Sequence, residues 1–73
     1  MPKLPVVSGK ACRKAFGHLE FEEARQRGSH VVMRRGESGC VVPMHAAIKT
    51  GPLSGILKQA GVSVEEFTKA LGR

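Results

Sequence analysis

The stretch that most constrains this chain runs from Ser29 to Met44, SHVVMRRGESGCVVPM. Its first half, SHVVMRR, has the β-branched density and alternation of a strand. Ser29, Val31 and Met33 point to one face, and His30, Val32 and Arg34 to the other. RGESG supplies turn chemistry for a hairpin, with a glycine at each end, and CVVPM returns as the next strand. Pro43 has no N–H to give to a ladder, which places that strand at a sheet edge or ends it there. A lone hairpin is marginal in water. The Val31 and Met33 face therefore needs a covering layer, which leaves His30 and Arg34 on the opposite face or at its rim.

The flanking sequence supplies that layer. MPKLPVV is an extended lead-in, because its two prolines restrict the backbone and remove donors. Ser8 is placed as an N-cap, after which Ala11, Cys12, Ala15, Phe16 and Leu19 recur at helical spacing. Lys10, Arg13 and Lys14 fall off that stripe and give the helix a basic outer side. FEEARQ reads as a short first strand, although its Glu and Ala content does not favour one. Downstream, Pro52 suits the first position of a second helix, with Leu53, Ile56, Leu57 and Ala60 on its apolar stripe and Gly61 as its stop. VSVEEFTKALGR adds a short last helix, opened by a capping box from Ser63 to Glu66 with Val62 and Phe67 as a hydrophobic staple. The order predicts an α+β fold, α-β-β-β-α(α), with a three-stranded antiparallel sheet and helices on one face. With 73 residues and no visible linker or repeat, residues 1–73 read as one small domain.

Composition narrows the function. Twelve Lys and Arg against six Asp and Glu give a net charge of +6, which points to a polyanionic partner: nucleic acid, or an acidic protein shielding the same surface. Three Phe with no Trp or Tyr are too few for a single-strand stacking platform. No apolar run approaches the roughly 20 residues that span a bilayer, and the start of the chain lacks a signal peptide's apolar segment. A cytoplasmic location with no membrane partner is expected. Cys12 and Cys40 have no metal-binding spacing and are expected to be reduced thiols acting as small hydrophobes. With no acidic cluster to hold magnesium either, no metal or other cofactor is expected.

The chemistry concentrates around His30. Arg25, Arg27, Arg34 and Arg35 surround it in sequence, and arginine forks match phosphate oxygens while keeping their charge. Imidazole takes and gives protons near neutral pH, and RNA carries its own nucleophile, the 2′-OH, so such a site could cut RNA without metal. Gly28 would allow a tight turn or a close approach to a ligand, and the Ser29 hydroxyl could orient the ring or touch phosphate. His45 follows Val41 and Pro43 in parity, as a second proton-transfer group, a phosphate contact or a loop residue. His18 suits the dipole at a helix C-terminus. From the residues alone, three readings stay open: a nuclease, a noncatalytic RNA-binding module on the same basic surface, and a structural subunit whose charge serves an acidic partner.

Taken together, LPVVSGK, RQRGSHVVMRR, VVPMH and LSGILKQAGVSVEEF resemble, in order and spacing, the HicA (YcfA-like) toxin family over nearly the whole chain. The resemblance implies a double-stranded-RNA-binding-domain-like fold. It also implies an mRNA interferase of a type II toxin–antitoxin system, held inactive by a HicB-like antitoxin, with the histidine of the GSH motif, here His30, as its catalytic residue. Arg25, Arg27, Gly28, Ser29, Arg34, Arg35 and Lys10 are then the expected RNA-binding residues, with His45 auxiliary. Two departures stand out: Glu20, where members commonly have glycine in an LGF helix exit, and Pro52, where they often have threonine.

Overall fold

The computed structural model describes residues 4–73, so the beginning of the extended lead-in lies outside the described residues. The elements follow the expected order: α1 (Gly9–His18), β1 (Glu22–Arg27), β2 (His30–Arg35), β3 (Ser38–Pro43), α2 (Thr50–Ala60) and α3 (Val64–Leu71). The Ser8 hydroxyl caps α1 by accepting from the Ala11 amide at 3.0 Å. At the other end, the Phe21 amide donates to the Phe16 carbonyl and the Glu20 amide to the Gly17 carbonyl, both at 3.0 Å. These are the two bonds of a Schellman motif, and Glu20 takes its left-handed position at φ 69°. α2 starts earlier than its proline suggested. Lys49 is the N-cap, so Pro52 falls at the third helical position, where the missing amide still has no intrahelical acceptor. Ser63 and Glu66 form the expected capping box of α3, at 3.1 and 3.3 Å.

The strands form an antiparallel meander in the order β1-β2-β3, with Pro43 ending the β3 edge. Gly28–Ser29 and Gly36–Glu37 are the two turns, each with a positive-φ glycine first, while Gly39 lies within β3 rather than closing the turn. Residues directly opposite each other share a face. Arg27, His30 and Pro43 make one cross-strand row, Arg25, Val32 and Val41 the next, and Glu22, Arg34 and Gly39 the third. Val31, Met33, Cys40 and Val42 point the other way and are buried beneath the helices.

The faces of β1 depend on an irregularity. Between Glu23 and Arg25 the register shifts by one residue, leaving Ala24 without an opposite partner, a β-bulge. Phe21 is buried and Arg27 lies opposite His30, and an unbroken alternation would put positions 21 and 27 on the same face. Absorbing Ala24 lets Phe21 enter the core while Arg25 and Arg27 stay on the open face.

Phe16 joins the layers. Its ring meets Phe21 edge-on at 5.0 Å and Phe67 of α3 at 5.6 Å. Burial of such a ring contributes roughly 1.5–3 kcal/mol. The Arg13–Glu23 ion pair, 3.6 Å apart with both side chains over a third exposed, contributes about 0.2–1 kcal/mol at most. Packing, not surface charge, holds α1 to the sheet. Cys12 and Cys40 are free thiols in this core, and burial pushes their pKa values up to about 12 and about 11, so both are inert as nucleophiles. Among the described residues, no helix is long and apolar enough to cross a membrane.

Candidate active site

The site lies where the β1–β2 turn, the exit of β3 and the start of α1 converge. Gly28, at φ 54°, makes the two-residue turn that puts His30 at the first position of β2. The Ser29 carbonyl accepts from the Met44 amide at 2.6 Å, carrying the β2–β3 ladder past Pro43. The His45 carbonyl accepts from the Gly9 amide at 2.8 Å. That approach requires glycine, because a Cβ on residue 9 would lie 2.6 Å from the Met44 Cα. The backbones on either side of the site are therefore tied to each other and to the core.

The ring centroids of His30 and His45 are 6.3 Å apart, inclined at 70°. Both residues are exposed. They line a groove of about 450 Å³ with Pro43, Ile48, Lys49 and Pro52, and no carboxylate shares its lining. Across the turn, Arg27 is the direct neighbour of His30. Arg25 is in the next row, and Arg34 is four residues along β2, about 13 Å away at strand rise. All three are exposed, and none is in an ion pair among the described residues. The open face therefore carries three free guanidinium groups in the rows that lead to the His30 imidazole.

A family comparison covers these same elements. The family model described as HicA toxin of bacterial toxin-antitoxin matches residues 9–62. The chain belongs to the HicA toxin family. Among curated proteins, none matches it. The HicA match spans α1, the sheet, both groove histidines and α2, and stops short of α3. As a HicA toxin, the protein is the toxin of a toxin–antitoxin system and has an antitoxin as its partner.

Not every expected residue gathers at this site. Arg25, Arg27, Gly28, Ser29 and Arg34 share the face or the turn of His30. Lys10 is exposed on the first turn of α1, directly after the glycine that meets His45. Arg35 is turned to the other side. Its guanidinium donates to the Leu19 carbonyl at 2.9 Å and stacks 4.6 Å from the centre of the Phe21 ring, bracing the exit of α1. His18 closes α1 at the end away from His45. Lys49 is the groove residue that the sequence did not mark. It precedes α2 with no motif around it, and only the return of the chain after β3 brings it beside the histidines.

Proposed function

We propose that this HicA toxin is an mRNA interferase, an endoribonuclease that cuts messenger RNA in the cytoplasm with His30 as a general acid or base and without a metal ion. The observation that carries the reading is His30 standing exposed on a charged sheet face, with Arg27 directly opposite and Arg25 and Arg34 in the following rows. Arg27 is close enough to stabilise charge developing at the scissile phosphate. Arg25 and Arg34, farther along, hold the flanking backbone by charge-assisted bonds that read no sequence. The RNA provides the nucleophile in its own 2′-OH, so the protein has only to orient that group, move protons and balance charge. Family membership supports the toxic role, and a HicB-like antitoxin that covers the arginine-bearing face fits the same arrangement.

Purified His30→Ala with an unchanged melting transition is expected to cut RNA at least about 10²-fold more slowly than the parent, the lower end for loss of a general acid–base group. Parent cleavage is expected to persist in EDTA. A folded His30→Ala chain that cuts at the parental rate overturns the assignment. Parent protein that binds RNA and leaves it intact marks a binding module instead.

A further inference from the structure

We propose that His45 is a second catalytic group, completing with His30 a two-imidazole site for RNA transesterification; this rests on the reading of the groove as an RNA-cleaving site. The two rings come from the same end of the β2–β3 ladder, His30 at the start of β2 opposite Pro43 and His45 two residues beyond it, line one groove and are 6.3 Å apart. The rings face each other edge to face, inclined at 70°, and no hydrogen bond joins them. Neither ring has a hydrogen-bond partner among the described residues, so both imidazoles keep their nitrogens open to a ligand. A phosphoryl group bound in this groove would lie between the two imidazoles and could accept hydrogen bonds from both.

The chemistry calls for two such groups. One imidazole takes the 2′-OH proton as the O2′–P bond forms. The other, as imidazolium, gives a proton to O5′ as the O5′–P bond breaks. The products are a 2′,3′-cyclic phosphate and a 5′-OH end. No oxidant, reductant or second substrate enters. The charged groups around the rings are all cationic: Arg27 opposite His30, Lys49 in the groove, and Lys10 on the α1 turn that meets His45. Lys49 supplies a point charge for the phosphoryl oxygens between the rings. The backbone is held for the task, with Ser29 bonded to Met44 and His45 to Gly9.

The test uses an oligoribonucleotide that the parent cuts at a mapped position, alongside the same RNA with sulfur replacing O5′ there. A thiolate leaves without being protonated, so the substitution bypasses the acid and leaves the base indispensable. On ordinary RNA, His45→Ala and His45→Gln, checked for folding, are expected to lose about 10²-fold or more in rate, as His30→Ala does. Sulfur is expected to restore either the His45 variants or the His30 variant to near the parental rate, but not both. The parent is expected to give a bell-shaped pH–rate profile that loses one limb in each variant, and products that carry cyclic phosphate. Parental rates in both His45 variants, or equal responses of the His30 and His45 variants to sulfur, overturn the proposal. His30→Ala inactive beside fully active His45 variants removes the pair and keeps the nuclease; a parent that cuts no RNA removes both.

Discussion

Glu20 has an identifiable conformational cost. It closes the Schellman motif after α1 at φ 69°, a left-handed conformation that costs a non-glycine residue roughly 1–2 kcal/mol. Two hydrogen bonds and the burial of Phe21 just beyond it hold it there. Glycine would relieve the strain but gain freedom in the unfolded chain, which offsets about 0.4–1 kcal/mol. Glu20→Gly is therefore expected to stabilise the fold by about 0.5–1 kcal/mol, read as a higher urea midpoint at unchanged slope. A lower midpoint would contradict the account. The glycine common in the family at this position thus has a physical reason. The sequence located that position through the resemblance; its left-handed geometry became visible only in the helix exit.

The β1 bulge generates a prediction at the level of the element. Deleting Ala24 leaves the same opposite pairs, Arg27 with His30, Arg25 with Val32 and Glu23 with Met33, now in an unbroken ladder. Deleting Gln26 also gives an unbroken ladder, but it moves Arg25 to the helix side and brings Ala24 to the open face. In a His30→Ala background that prevents turnover, the Ala24 deletion is expected to keep the salt dependence of RNA binding. The Gln26 deletion should flatten the slope of log affinity against log salt by about 0.7, one phosphate contact on a single strand. Equal slopes for the two deletions would show that the face of Arg25 does not matter. This element also marks the limit of what the sequence revealed. Val31 and Met33 declare the faces of β2 because burial selects them, and the Ser63–Glu66 box declares the start of α3. β1 is exposed at all six positions, so no apolar residue inside it records which way it faces. Lys49 caps α2 without a side-chain bond, so nothing local marked that boundary or its place in the groove.

Across the whole molecule, the helices cover one side of the sheet and the proposed RNA-cutting groups occupy the other side and its rim. The described chain exposes 4760 Å². A standard interface takes about 800 Å² from each partner, about a sixth of that total. One antitoxin molecule of ordinary reach can therefore cover His30, His45 and the nearby arginines together, with Val41 as an exposed apolar contact among them. RNA held by the His30→Ala chain is expected to be released as the cognate antitoxin is added, with fluorescence anisotropy falling to the value of free RNA. A ternary complex that keeps the RNA signal would separate the two surfaces. A shared surface also ties the toxin's escape to its own disarmament. On the proposed reading, an arginine altered to shed the antitoxin would loosen the grip on messenger RNA by the same stroke, leaving the room for evolutionary change between the two proteins mostly to the antitoxin.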